Sequence, residues 1–350
     1  MRVAIVAESF LPHVNGVTNT VLKAVDYLTA RGHTVLIIAP GEDETTSYKG
    51  VPVVRVPQFF LPKVNSLPLG LPVPRLYKIL REFRPDVVHL ASPFLLGLGG
   101  VLAANRLRVP TVAVYQTDVA GFATEYGLGW TTRAAWAWTR ELHNRCSRTL
   151  VPSSQAGRGL RAHGVQRIQR WGRGVDPVFS PTRRDPALRA RFRADTHTVV
   201  GFVGRLAAEK NIWRLRHAGP GTQVVIVGDG PEREALQRQL PDAIFTGALH
   251  GEDLARAYAS FDVFVHTGEH ETFCQTIQEA QASGLPVVAP RAGGPVDLVG
   301  SGGVLVSVDK FCEDLPAAIA QARTLPPETG VPTWDTVCTD LFEHYRAVVA

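Results

Sequence analysis

Two carboxylates, Glu271 and Glu279, stand eight positions apart in EHETFCQTIQEAQASGLPVVAP (269–290), in a stretch whose helical part is otherwise neutral. Read as a helix, that spacing separates them by roughly 12 Å along the axis and roughly 80° around it. Two acids so placed share neither a proton nor a metal ion. Each can accept hydrogen bonds from a vicinal diol, so the pair suits two hydroxyl-bearing ends of one elongated ligand. The helix N-terminus offers unpaired N–H groups to an anion nearby. Two cations, Arg205 and Lys210, lie in FVGRLAAEKN (202–211), directly after an apolar run. They can balance the charge that grows on phosphate oxygens as a diphosphate departs. Taken singly, each of the four residues also fits a solvated surface side chain. Together they match a nucleotide diphosphate sugar, which presents sugar hydroxyls, diphosphate and ribose hydroxyls in that order.

Positioning them falls to short apolar runs that alternate with helical patterns, the signature of parallel α/β construction. RVAIVA (2–7), TVLIIAP (34–40), DVVHLAS (86–92), TVAVYQ (111–116) and RTLVPS (148–153) read as a first set of strands. Val21, Leu22, Val25 and Leu28 recur at helical spacing before a stop at Gly32. TVVGFVGRL (198–206), TQVVIVGDG (222–230), AIFTGAL (243–249), DVFVHTG (262–268), LPVVAP (285–290) and GGVLVS (302–307) read as a second set. The segment 171–192 between them is rich in turn formers and arginine, and the boundary is placed there. The expected fold class is α/β, with two Rossmann-like doubly wound domains, 1–175 and 176–333. The helical segment 334–350 is expected to pack back on the first. Ligands of such sheets sit beyond the carboxyl ends of the strands, so the cleft between the two domains is the expected site.

Composition narrows the function classes. A chain of 350 residues with 45% hydrophobic and 20% charged residues can bury real cores and is not of disordered type. The net charge of +5 comes without a compact Lys/Arg run, which argues against nucleic acid as a partner. A basic surface also fits an anionic membrane or a phosphorylated ligand. Cys146, Cys274, Cys312 and Cys338 are scattered, with neither CxxC nor metal-ligand spacing, which suits a reducing compartment. The opening MRVAIVAESF runs straight into a strand, and no window approaches the roughly 18 apolar residues of a membrane span. A cytoplasmic protein is expected, peripheral at most to the inner membrane face. A dinucleotide oxidoreductase would show GxGxxG after its first strand; here ESFLPHVNG follows, and GDGPER lacks the third glycine.

Six segments, taken together, resemble glycosyltransferase family 4, which has the GT-B fold of two facing Rossmann-like domains. They are ESFLPHVNGVTNTV (8–21), RPDVVHLASPFLLG (84–97), VYQTDVAGFATEYG (114–127), GRLAAEK (204–210), VGDGPEREAL (227–236) and EHETFCQTIQEAQASGLPVVA (269–289). Within the family the likeness is strongest to actinobacterial GDP-mannose-dependent α-mannosyltransferases acting on lipid-linked acceptors. The resemblance implies that Arg205 and Lys210 bind the donor diphosphate, that Glu271 contacts the donor sugar, and that Glu279 holds the ribose. It further implies backbone N–H contacts from Thr272, Phe273 and Cys274, a place for Gly228 near the nucleotide, and main-chain contacts to the base from TGAL (246–249), Leu249 included. Gly16 would let the first helix approach the diphosphate, although a simple tight turn serves the residue equally well. Where many relatives carry a histidine, this chain has Gln116 and Asp118. Both are expected on the acceptor side, with Asp118 as a weak base, so the expected catalytic set is Arg205, Lys210, Glu271 and Asp118. His89 reads as a core histidine. The stretch 58–80, with Phe59, Phe60, Lys63, Arg75 and Lys78, meets lipid in membrane-associated relatives; ordinary loop packing is the alternative.

The reaction so implied is transfer of a hexose, best matched by mannose from GDP-mannose, to a hydroxyl of a glycolipid. Two alternatives stay open: a UDP- or other NDP-sugar donor with a soluble acceptor of aminoglycoside type, and a non-catalytic sugar-nucleotide-binding protein. The chain contains no D-x-D, the usual carboxylate pair for a diphosphate-bound metal, so neither a cofactor nor a metal requirement is expected. The family implies retention at the anomeric carbon. No carboxylate is placed as a nucleophile, which favours same-face displacement with the leaving phosphate deprotonating the acceptor.

Overall fold

Unbroken apolar runs become strands covered on both faces, as parallel sheets require. Val3 to Ala7 are all buried, and so are Val199 to Val203. This computed structural model describes residues 1–13, 15–41, 46–61, 64–70, 75–116 and 132–350, with the side chains of 58–70 outside the description. Asp118, most of the acidic loop 42–47, and the side chains of Phe59, Phe60 and Lys63 therefore lie outside the described residues. The chain divides into two compact units, Met1–Gly172 with Asp335–Ala350, and Arg173–Trp334.

The strands of the first unit are β1 (Arg2–Ala7), β2 (Thr34–Pro40), β3 (Ser47–Tyr48), β4 (Val51–Val56), β5 (Gln58–Leu61), β6 (Val64–Gly70), β7 (Val87–Ala91), β8 (Thr111–Val114), β9 (Arg148–Val151) and β10 (Ile168–Arg170). One sheet runs β10-β9-β8-β7-β1-β2-β4-β3, parallel except for the antiparallel β3–β4 edge. The strand order reverses between β1 and β7. Three features were not read from sequence: β4, interrupted by Pro52 and Arg55; the short edge strand β10; and the antiparallel hairpin β5–β6 in what reads as a loop. The terminal helix Trp334–Val349 completes this unit. Trp171 Nε1 donates to the Val337 carbonyl at 2.8 Å, Tyr27 bonds Thr339 at 3.0 Å, and Tyr345 Oη meets His89 Nδ1 at 2.6 Å. Burial pushes the His89 pKa down to about 4, so it is a neutral core histidine.

Glu8, just beyond β1, shows how this core is tied. One carboxyl oxygen accepts from the N–H of Phe94 at 2.6 Å and of Gly97 at 2.8 Å, at the start of the helix Leu95–Leu107. Burial pushes its pKa up to about 7, although the backbone N–H groups of Gly97, Phe94 and Leu96 pull the other way. A folded pKa raised from 4.5 contributes stability that is full below 4.5 and is lost as pH rises through about 7. The free energy of unfolding is therefore expected to fall between pH 5 and 8, and Glu8→Gln, which keeps the accepting oxygen, to shrink that fall by up to about 3 kcal/mol in denaturant titrations. A pH profile unchanged by the substitution counts against this account.

The second unit holds β11 (Thr198–Val203), β12 (Thr222–Val227), β13 (Ile244–Gly247), β14 (Val263–Val265), β15 (Val287–Pro290) and β16 (Gly303–Val306). All are parallel, in the order β13-β12-β11-β14-β15-β16. Alternate residues face opposite layers. Val200 and Phe202 pack with Leu215, Phe311 and Leu315, while Val199 and Val203 pack with Tyr258, Phe261 and Ile277. The order reverses between β11 and β14, and a ligand crevice is expected beyond the carboxyl ends of such a pair. Among the described residues no helix is long and apolar enough to cross a membrane.

Candidate active site

The loops after β11 and β14 flank this switch point. After β11 the chain runs through Gly204 and Arg205 into a short 3-10 turn, Ala208–Lys210. The loop after β12 stacks directly on it: Gly204 N donates to Val227 O at 3.0 Å and Leu206 N to Asp229 O at 2.9 Å. Gly228 has φ +142, and a Cβ there would fall 1.9 Å from the Gly204 carbonyl oxygen, so only glycine permits the contact.

After β14 come His266, Thr267 and the stretch to Cys274, and the helix Gln275–Ala282 starts only then. Glu271 is thus on the loop, not on the helix, and the helical spacing assumed between Glu271 and Glu279 does not apply. The reason is local. Cys274 adopts φ 86, which breaks the helix, and the Glu271 carbonyl accepts from Gly294 N at 2.7 Å in the loop after β15. A Cβ at Gly294 would lie 2.1 Å from the Phe273 carbonyl oxygen, so that loop backs this one closely.

Lys210 and Glu271 meet in an ion pair across the switch point. Burial disfavours the Lys210 charge, but the Glu271 carboxylate beside it wins and its pKa is raised. Thr267 Oγ1 donates to the Lys210 carbonyl at 2.6 Å, and Arg214 bridges the same two segments through Glu269 at 2.5 Å and the Thr267 carbonyl at 3.2 Å. A cavity of about 270 Å³ opens here, lined by Arg205, Lys210, His266, Glu271, Cys274 and Gln275 among others. Arg205 lies at its exposed rim, paired with Glu209. Thr272, Phe273 and Cys274 donate no backbone hydrogen bond among the described residues, so their N–H groups remain to serve an anion. This arrangement can bind a phosphate with Lys210 and hydroxyls with Glu271.

Glu279 does not line this cavity. It sits on the helix Gln275–Ala282 and accepts from Tyr258 Oη at 2.9 Å. Burial pushes its pKa up to about 7, with the Tyr258 hydrogen bond opposing and Asp176 adding to the rise. Leu249 is half-buried against the apolar layer beneath. In the first unit, Gly16 opens the helix Gly16–Ala30, but the N–H groups of Val17 and Thr18 are taken by the Asn15 side chain at 2.9 Å each. Gln116 is buried just past β8.

Three residues of the site escaped the sequence reading. His266 directly follows β14, a position that the carboxyl-end rule singles out. Arg173, near Glu271 and 5.7 Å from the Phe273 ring, lies in what reads as linker. Burial lowers its pKa to about 10, which leaves it charged at neutral pH. Tyr258 is remote in sequence from its partner Glu279. His266, Glu271 and Cys274 also bring one potential metal-ligand atom each within 4.8 Å of one another. The ammonium group of Lys210 on Glu271 opposes a second cation there.

Known proteins share this chain's sequence along its whole length. The sequence pattern described as "Glycosyltransferase Family 4" matches residues 14–179, and that of "Glycosyl transferases group 1" matches 197–324. A GDP-mannose-dependent alpha-mannosyltransferase of Mycolicibacterium smegmatis is 56% identical, over 100% of this chain and 98% of its own length. One of the same description from Corynebacterium glutamicum is 51% identical, over 100% and 90%. The crystal structure of Anabaena HepE in complex with UDP superposes with a TM-score of 0.74 at 20% identity, covering 99% of this chain and 100% of that one, a likeness of fold. The chain belongs to glycosyltransferase family 4.

Proposed function

We propose that this glycosyltransferase moves mannose from GDP-mannose to a hydroxyl of a glycolipid acceptor, with retained anomeric configuration and no metal ion. The observation that carries the donor is the 56% identity, over the whole chain, to a GDP-mannose-dependent alpha-mannosyltransferase. The site supports the chemistry. Lys210 and the N–H groups of residues 272–274 neutralise the departing diphosphate, and Glu271 holds the sugar. The glycosidic carbon–oxygen bond to phosphate breaks as the acceptor oxygen bonds the same face, and the acceptor proton passes to the leaving phosphate. The glycolipid acceptor and peripheral contact with an anionic membrane rest on the family resemblance and the net charge of +5.

A thermal-shift screen of nucleotide sugars tests the donor, with GDP-mannose expected to give the largest shift and a larger shift from a UDP-sugar pointing elsewhere. Transfer is expected to survive EDTA and to give an α-linked product by NMR. Loss of activity restored by Mg²⁺ or Mn²⁺, or an inverted product, would overturn the mechanism. Co-sedimentation with anionic vesicles separates a membrane-bound acceptor from a soluble one.

A further inference from the structure

His266 lines the cavity yet has no part in the chemistry so far. It is only 2% exposed, and burial holds its pKa at about 4, so the ring is neutral, with one nitrogen donating and the other accepting. Beyond a marginal approach to the Gly268 backbone, neither ring nitrogen has a hydrogen-bond partner among the described residues. Burying an imidazole unsatisfied is unfavourable, and a residue kept for packing at the end of the apolar run Val263–Val265 would be apolar too. Space is also kept open beside it, since a Cβ at Gly268 would lie 3.2 Å from Nε2. Nε2 stands 3.5 Å from Glu271 Oε1. An oxygen bridging atoms at this separation would lie about 2.8 Å from each, on a nitrogen that the present arrangement keeps covered and that a bound sugar would have to reach.

We propose that His266 is a specificity-determining contact to the transferred sugar, its imidazole donating to the same hydroxyl that donates to Glu271. The proposal rests on the reading of Glu271 as the sugar-binding carboxylate. A hydroxyl is the group that satisfies both neighbours at once, because it accepts from one and donates to the other. Loss of such a partner leaves a buried polar group unpaired, which is what makes hydrogen-bonded pockets discriminating.

The test is titration calorimetry on the full chain with GDP-mannose and with GDP, for wild type, His266→Leu and His266→Gln. His266→Leu is expected to weaken GDP-mannose by about tenfold or more and leave GDP unchanged, with a thermal midpoint no lower than wild type, since an unsatisfied polar group has gone. His266→Gln, which keeps a donor, is expected to fall between. Single-deoxy analogues of GDP-mannose add a readout that a packing role does not move. One of them should bind wild type poorly, yet be no worse than GDP-mannose for His266→Leu. Equal losses for GDP and GDP-mannose, an unchanged GDP-mannose affinity, or stoichiometric zinc held by purified wild type and lost in His266→Leu would overturn the proposal. A wild-type chain that prefers GDP-mannose no more than GDP would sink the donor reading and the proposal together, and is recognised because it appears without any substitution.

Discussion

Lys210→Ala is expected to lower turnover by roughly 10²- to 10³-fold, the loss that follows removal of one preorganised charge at a developing oxyanion. The ground-state diphosphate already carries charge, so some donor affinity goes as well. The larger effect falls on kcat, because the charge on the leaving oxygen grows toward the transition state. The variant also strips Glu271 of its ion-pair partner in a site where both side chains are mostly buried. Breaking one half of such a pair is destabilising in itself, so the companion variant is the double substitution Lys210→Ala with Glu271→Gln. If the two residues act as a unit, the double variant loses much less than the product of the two single losses. Single-turnover transfer from GDP-mannose measures this directly. Wild-type turnover in Lys210→Ala would place the diphosphate elsewhere.

On the reading of Glu279 as the ribose-binding carboxylate, which the family resemblance implies, Glu279→Gln is expected to weaken donor binding by about 10- to 100-fold. The wild-type affinity carries a pH signature with a definite sign. Burial pushes the Glu279 pKa up to about 7, with Tyr258 opposing the shift and Asp176 reinforcing it. Above that pH the carboxylate is ionised and, beside the bond from Tyr258, keeps a charged oxygen to accept from a ribose hydroxyl; below it the proton removes that charge. Donor affinity should therefore decline as pH falls from 8 to 6, while Glu279→Gln shows a flatter profile over the same range. Nucleotide titrations across that range check both statements. An affinity independent of both pH and the substitution would reject the ribose role of Glu279.

Much of this fold is legible in the sequence because parallel strands buried on both faces leave unbroken β-branched runs. RVAIVA became β1 without a change of boundary, and TVLIIAP became β2. The strands beside the site end earlier than their apolar runs suggest. TQVVIVGDG stops at Val227 and DVFVHTG at Val265, since the following residues turn out of the sheet to build the loops. The start of the helix Gln275–Ala282 was hidden for another reason. A left-handed residue at Cys274, supported by glycines some 20 positions on, depends on tertiary contacts that no local pattern announces. The sequence assigns Lys210 and Glu271 to one ligand but not to each other, because Glu271 reads as helical there and lies on the loop before the helix. The Tyr258–Glu279 bond could not be anticipated, because it joins two helices through side chains at ordinary helical positions.

The first unit is not continuous in the chain. Its sheet ends with residues before Gly172, yet the helix Trp334–Val349 supplies Tyr345 to His89 and a carbonyl to Trp171. The second unit, Arg173–Trp334, is uninterrupted. During synthesis from the N-terminus, the later unit therefore has all of its residues before the earlier one does. Strand β7 carries a buried histidine whose partner emerges from the ribosome some 250 residues afterwards. The order of translation and the order of folding are expected to be reversed here, with the first sheet sealed only after the whole of the second unit has been made.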